Sequence, residues 1–590
     1  MGMVLELLLT KKFNVKSVFR SRSPNPTPRS RHPRAHVLNY RTMEVLRYMG
    51  LSNAVSDLSE PHMERWRRYR YCTGMIGRTM SSVDHMNDEK ENNLTRNSPE
   101  CVAHVSQPYL ETILRENLSS TTSTPDDLEF ESYRCVEEDD SIQVRFRDGT
   151  EVRTKYLVGA DGAHSLVRQC AGLKMNGKER LERFTSVHFR APDLWDRMSV
   201  EDAAMLSFVM NSKTLACVVA HSFEAGEYVA QLPLFDHITQ YDKNELNVLI
   251  SSCIGDESVP FEIESALEWS MSALVANSFS ASQNRVFLVG DAAHVLPPSG
   301  GFGLNTGIQD AHNLAFKLAR AVRYLTLSSV CDPSLTQSQL IQIENEDTSM
   351  LTSYDSERRP VAIRNARVGV ENYERGLLVP KAIGLSRDVL TSASSVLPSW
   401  LVSTGVTMGL KALSVLESTG TPNPVASVMS NQIDNVARVK GDAIPMLFPN
   451  LDLGFRYGDD GKKKRKTAGF EGDELYDYDI QEGRRFPHSW IMKDQEICST
   501  LDLVREVPIW VVRGAKNIKH DEMKDDDVVV VIVKTPLEID DVDRLEKNGY
   551  EVVYCFQGTR DDITFRREEN VSWKAFKVRP DGHISRAIYD

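Results

Sequence analysis

The run Arg285–Leu318, RVFLVGDAAHVLPPSGGFGLNTGIQDAHNLAFKL, constrains this chain more than any other stretch. The apolar residues Val286–Val289 read as a buried strand delivering Gly290 and Asp291 at its C-terminal end. Ligands of open α/β sheets bind at that end. Pro297 and Pro298 stiffen the next turn, and Gly300, Gly301 and Gly303 let backbone approach a flat ligand without Cβ clashes. From Thr306 to Leu325 the spacing predicts a helix whose free N–H groups and positive dipole end, just beyond Asn305, aim at the same place. An aspartate there can accept hydrogen bonds from sugar or ribityl hydroxyls. A flat ring that gains negative charge on reduction is what the helix end would stabilise.

A second run, Tyr156–Arg168 (YLVGADGAHSLVR), repeats the logic: a short strand, the turn Asp161-Gly162, then a helix carrying Arg168. An Asp-Gly turn alone is common. Around these runs the pattern is mixed. Helices are expected at residues 3–9, Thr42–Met49 and Gln107–Asn117, a short strand at Val15–Phe19, and a polar loop at Asp84–Ser98. Leu128–Val158 alternates strands with turns, Asp148-Gly149 being a hairpin signal. Residues 176–275 read as strands with little helical periodicity, and 340–450 as mostly helical. Gly458–Lys466 is a charged loop or linker, and its Lys462–Lys466 fits a solvated surface better than a nuclear localisation signal. Strands at Val507–Val512, Val528–Val533 and Glu551–Cys555, with a helix over Pro536–Asn548, suggest a small α/β unit at the C-terminus.

A net charge of -13 argues against a nucleic-acid partner, which needs a basic face. Nine scattered cysteines with no CxxC pair argue against a metal site and fit reduced thiols of a cytoplasmic protein. No apolar run reaches about 18 residues, so no integral membrane segment is expected; Val379–Leu416, the most apolar helical stretch, is interrupted by Lys381, Arg387 and Lys411. The first 40 residues hold eight basic residues, from Lys11 to Arg34, against Glu6 alone. That is the composition of an organelle transit peptide; degraded domain sequence is the favoured reading.

The two runs, in this order, resemble the Asp-Gly and Gly-Asp fingerprints of the single-component FAD-dependent aromatic-ring monooxygenases, the p-hydroxybenzoate hydroxylase superfamily. HPRAHVLNYRTMEVLR (His32–Arg47), SQPYLETILR (Ser106–Arg115) and the C-terminal EGRRFPHSWI, STLDL and VRPDGHISRA resemble landmarks of its phenol hydroxylase branch. The resemblance implies an α/β fold. A Rossmann-like FAD-binding domain of the glutathione-reductase type would occupy residues 1–175 and 276–450, the latter with a helical extension. A β-rich substrate domain would be inserted at 176–275, taking in part of 60–100, and a thioredoxin-like domain would follow at 451–590.

The same resemblance distributes roles. Asp291, after Gly290, would hold the ribityl chain. Asp161, Gly162 and Arg168 would serve FAD and the passing NADPH or NADH. Pro298, Gly300, Gly301, Gly303, Leu304 and Asn305 would line the ring, Pro298 beside the reacting centre. Arg34 or Arg41 would meet the phosphates or ribityl chain, and Gln107 would touch the flavin. His36 stands two residues after Arg34, where the phenol hydroxylase pattern has an aspartate; it is the candidate base for the substrate hydroxyl. Tyr228, Phe208 and Phe223 are available aromatics whose expected use is in the core. The implied activity is hydroxylation of a small phenolic molecule by O2 through a C4a-hydroperoxyflavin, in a homodimer. Other flavin-dependent oxidation on the same fold, or a non-catalytic homologue that has lost FAD binding, remain alternatives.

One part of the pattern is broken. The family opens with a strand and GxGxxG, whose backbone receives the pyrophosphate. Here Gly2 stands where the third glycine would fall, without the strand and the first two glycines. Phe19-Arg20-Ser21-Arg22 stands where an acid should grip the adenosine ribose. The expectation is an incomplete sequence rather than a lost cofactor, since the later motifs are intact.

Overall fold

The computed structural model describes residues 1–19, 32–59, 63–86, 88–118, 129–136, 140–234, 240–330, 337–383, 413–417, 424–438, 444–446, 448–459, 475–476, 480–493, 496–513, 528–533, 550–555 and 573–589. The chain is mixed α/β. Val286–Leu288 lies parallel to Leu157–Gly159, so the two fingerprint turns leave one sheet side by side. Every residue of Val286–Leu288 is buried, as its apolar run requires. The helices Gly2–Leu7, Tyr40–Tyr48, Gln107–Asn117 and Phe302–Val330 share one large core with this sheet.

An eight-stranded sheet stands beside that core. Its order is His294–Val295, Glu262–Ala276, Met175–Arg190, Glu227–Pro233, Leu215–Ser222, Leu206–Met210, Arg68–Cys72 and Thr79–Asp84. His294–Val295 belongs to the second fingerprint, so the sheet is hydrogen-bonded directly to the turn that follows Asp291. A seven-stranded sheet closes the C-terminus. Its centre, Ile509–Arg513, Val528–Val533 and Glu551–Cys555, is parallel, and its flanks are antiparallel.

Several local expectations are corrected. Val15–Phe19 forms no strand: the segment is partly buried, but it pairs with no strand among the described residues. Asp84–Ser98 is not a loop throughout, since Asp88–Asn97 is a helix. It buries only Leu94 and carries acids in its first turn and Arg96 in its last, as the helix dipole favours. The predominantly β stretch contains the helix Lys243–Ile254, closed by a capping box between Asp242 and Glu245 and by Gly255 at φ +91°. That D-x-x-E signal was readable in the sequence. The long fingerprint helix starts at Phe302, so Gly303 and Leu304 are its first turn and Asn305 lies inside it. The expected helix at Pro536–Asn548, the run Lys462–Lys466 and most of Val379–Leu416 lie outside the described residues. No helix among the described residues is long and apolar enough to cross a membrane.

The C-terminal unit is tied through buried polar and charged groups to three helices, Tyr40–Tyr48, Phe302–Val330 and Gln337–Gly376. Arg579 donates to Glu357 at 2.7 and 2.9 Å, Asn313 donates to Asp581 at 2.9 Å, and Arg485 pairs with Glu44.

Candidate active site

Where the strand ends, the eight-stranded sheet and the second fingerprint enclose a cavity of about 1770 Å³. Ligand pockets usually hold about 300–1,000 Å³. This one therefore has room for two molecules. One wall is the turn Pro297–Leu304, including Pro298, Gly300, Gly301 and Gly303. The sheet also lines the cavity, through Phe184, Phe208, Trp269, Met175, Met210 and Met271, with Met205 just before the strand Leu206–Met210. Tyr228 and Phe223 are fully buried in the core behind it, whereas Phe208 reaches the cavity.

The glycine turn is built for close approach. Gly300 (φ +136°) and Gly301 (φ +65°) have left-handed backbone, and Pro298 accepts hydrogen bonds from both of their N–H groups. A Cβ on Gly300 would stand 2.5 Å from the Phe302 ring, whereas a Cβ on Gly303 would meet nothing within 4 Å. Gly303 lines the cavity in the first turn of the helix, where backbone N–H groups lack intrahelical partners. These residues fit the flat half of FAD: a Cβ on Gly303 would enter the open space that a ring lying on the first helical turn would need.

The expected site residues divide in two. Arg34, His36, Gln107, Gly162, Arg168, Asp291, Pro298, Gly300, Gly301, Gly303 and Leu304 line the cavity. Five others are drawn elsewhere. Arg41 is buried against Glu44 (3.0 Å) and the Asp581 carbonyl (2.7 Å), so it fastens the C-terminal unit. Asp161 accepts from the backbone N–H groups of Leu166 (2.7 Å) and Val167 (3.1 Å), which makes it a helix cap. Asn305 is buried; it accepts from the Asn39 N–H and donates to the Val37 and Gly301 carbonyls, fixing the turn from behind. Gly290 (φ +60°) lies beneath the Met1 side chain and close to Gly307, beside the cavity wall. Gly2 packs on Phe19, where a Cβ would come within 2.6 Å of the ring; its lack of a side chain serves packing.

Arg168 does more than line the cavity. Its guanidinium donates to the carbonyls of Ala163 and Ala292, 2.8 Å each, and so crosslinks the two fingerprints. His36 presents an Nε2 without a hydrogen-bond partner, and burial pushes its pKa down to about 4. Its ring lies 5.0 Å from that of His221 and 5.7 Å from that of His104, and burial also holds both of these well below the ordinary value.

Sequence reasoning missed the group that stiffens the fingerprint from below. Asp310 accepts from His294 at 2.6 Å and from Arg358 at 2.8 Å, all three side chains being fully buried. Burial acts to raise the Asp310 pKa, but the charges of Arg358 and His294 outweigh it and hold the carboxyl below its usual range. Asp310 stood inside the motif already read, but nothing in one sequence shows that Arg358 reaches it. Asp310→Asn should leave Arg358 buried without its counter-charge and cost about 3–5 kcal/mol, read as the shift in a urea unfolding curve.

A sequence-family profile described as an FAD binding domain matches residues 3–325, more than half of the chain. The chain belongs to this FAD-binding family. It is 30% identical over 362 residues to a 4-methyl-5-nitrocatechol 5-monooxygenase of a Burkholderia species, covering 59% of this chain and 60% of that one. It is 28% identical over 385 residues to a 2,4-dichlorophenol 6-monooxygenase of Delftia acidovorans, covering 60% and 58%. These alignments thus span about 60% of the relatives' length. Among solved structures, the flavin-dependent monooxygenase PieE, in complex with FAD and substrate, superposes with a TM-score of 0.75 at 21% identity, covering 100% of this chain and 94% of that one. Aklavinone-11 hydroxylase, in a ternary complex with FAD and aklavinone, gives 0.66 at 20% identity, covering 99% and 93%. At such identities the likeness is one of fold.

Proposed function

We propose that this chain is an FAD-dependent monooxygenase that hydroxylates a small phenolic molecule with O2 and NADPH or NADH. The observation that carries this is the cavity lined both by the glycine turn and by an aromatic and methionine-rich sheet, with volume for a ring cofactor and a ring substrate together. The fold shared with FAD-bound monooxygenases and the nitrocatechol and dichlorophenol activities of the relatives support the same reading. FAD, when bound, supplies the redox chemistry between the nicotinamide and oxygen.

The chain's own residues would bind, orient and exclude water. Asp291 would take hydroxyls of the ribityl chain. The turn Pro298–Leu304 would seat the ring, and Gln107 would sit at its edge. Arg168, with both fingerprints in its grip, would keep them at one spacing. The sheet would press the substrate's ring against this face.

His36 would accept a hydrogen bond from the substrate hydroxyl. With a pKa of about 4 it is neutral at pH 7, so it can accept, but it is too weak a base to hold the phenolic proton.

We also read the C-terminal sheet as thioredoxin-like and supporting a homodimer. The parallel pair Ile509–Arg513 and Val528–Val533, followed by the antiparallel hairpin Trp573–Val578 and Ile584–Tyr589, supports this reading. With no CxxC in the chain, that unit would have no thiol redox role.

The test is NADPH oxidation by the FAD-supplemented protein. Phenols should stimulate it and yield a product one oxygen heavier by mass spectrometry. Oxidation indifferent to every phenol offered, with no oxygenated product, would refute the hydroxylase reading.

A further inference from the structure

Two paired strands of the eight-stranded sheet are apolar on both faces. In Leu206–Met210 and Leu215–Ser222, Ser207, Val209, Ala216, Val218 and Ala220 are buried. Their alternates Leu206, Phe208, Leu215, Cys217 and Val219 line the cavity and remain partly open. A sheet with one solvated face normally alternates apolar with polar residues. An apolar face left uncovered marks a binding surface. The register sets Leu206 opposite Val219, Phe208 opposite Cys217 and Met210 opposite Leu215. These three pairs make a continuous apolar trough along the strands. Resting on the phenolic reading above, we propose that the substrate is a phenol with a long linear apolar tail, its hydroxyl at His36 and its tail laid along this trough.

The trough begins beside His36, whose ring lies 5.0 Å from that of His221 on the strand Leu215–Ser222. From His221, the cavity-lining Val219, Cys217 and Leu215 follow at about 7, 14 and 20 Å, given about 3.4 Å per strand residue. With its hydroxyl at His36, a phenol ring reaches the first pair. About 14 Å of trough then remains to Leu215, a span of roughly ten carbon–carbon bonds of about 1.5 Å. The strip is two strands wide. On one flank stands the polar Gln231, opposite Cys217. On the other, Tyr71 stands opposite Phe208 and stacks on its ring at 5.0 Å. A chain fits that strip better than a broad fused-ring plate.

Apolar residues from elsewhere in the chain face the same space. Ile444 and Met446 line the cavity, and the Ile444 N–H donates to the Tyr69 hydroxyl at 2.9 Å, which fastens this segment to the sheet. Leu377 and Leu378 also line it, yet each is 38% exposed. The adjacent Val379 shares one hydrophobic cluster with Phe208, Met210 and Leu215. An apolar tail would cover these half-open side chains.

The experiment measures the affinity of the full, FAD-supplemented chain for a series of 4-alkylphenols from ethyl to dodecyl, by quenching of protein fluorescence. Each added methylene should tighten binding about three- to fourfold until the trough is filled near ten carbons, after which the gain should stop. Cys217→Phe blocks the trough midway. It should leave 4-ethylphenol bound as in the wild type and remove the gain from the longer tails. Should that variant fail to fold, Leu378→Asp, at a position already open to solvent, should weaken 4-decylphenol by about tenfold or more and spare 4-ethylphenol. Affinity that does not rise beyond 4-ethylphenol would overturn the proposal. So would a rise of equal slope in wild type and both variants, which is adsorption elsewhere, or tighter binding of 1-hydroxypyrene than of 4-decylphenol, which is a fused-ring site. Failure of every phenol to bind, 4-ethylphenol included, would instead overturn the phenolic reading on which the tail rests.

Discussion

Gly303→Val is expected to abolish flavin binding while leaving the protein folded. The Cβ position of Gly303 has no atom beyond its own helix backbone within 4 Å and opens on the cavity, so a side chain added there extends into the cavity. It meets the place where the ring would lie on the first helical turn. Overpacking of this kind costs about 1–3 kcal/mol in a protein that can adjust, and a rigid ring cannot. Flavin affinity should fall by about a hundredfold or more, since each 1.4 kcal/mol is roughly a factor of ten. The thermal unfolding midpoint of the apoprotein should hardly move. Gly300→Ala is the contrasting case. Its Cβ would strike the Phe302 ring at 2.5 Å on left-handed backbone, so it should lower the unfolding midpoint as well. Flavin titration by fluorescence quenching, beside thermal melts of both variants, separates the two effects.

The second large effect is acid lability. Burial pushes His32, His36, His85, His488 and His583 down to about 4, and holds His104 and His221 well below the ordinary value. In the unfolded chain the same rings titrate near 6.5. Between those values the unfolded chain binds protons that the folded chain refuses. The stability these neutral rings contribute is therefore complete above about pH 6.5 and is lost as pH falls towards 4. With so many rings shifted the same way, urea midpoints should drop steeply from pH 7 to pH 5. His36, His104 and His221 lie together beside the cavity, so ligand binding should weaken over the same window. A midpoint unchanged between pH 7 and pH 5 would contradict the burial of these rings.

The parts of this protein that were legible in the sequence are those where local spacing and chemistry coincide. Val286–Val289 had to be a buried strand, the glycines after Pro298 had to make a tight turn, and the Tyr156–Arg168 run had to make a similar one. What stayed hidden was pairing at a distance. Asp161 looked like a ligand contact because an acid in a strand-end turn has two uses, and only the folded chain shows its oxygen on the N–H groups of Leu166 and Val167. Arg41 looked like a phosphate contact until Glu44 and Asp581, the latter 540 residues away, claimed it. The His294–Asp310–Arg358 group joins segments that no periodicity connects. The helix Lys243–Ile254 was missed for a different reason. Its capping box was present, but the stretch around it reads as strands with little helical periodicity.

A flavin ring seated on the backbone between Asp291 and Asn305 would shield that backbone from solvent. Hydrogen–deuterium exchange of the full chain with and without saturating FAD tests it most directly, because it reads position rather than activity. Slowed exchange should be confined to peptides covering the two fingerprint turns, strongest across residues 297–305, with no change in the C-terminal sheet. Unaltered exchange across 297–305, or protection concentrated elsewhere, would contradict it.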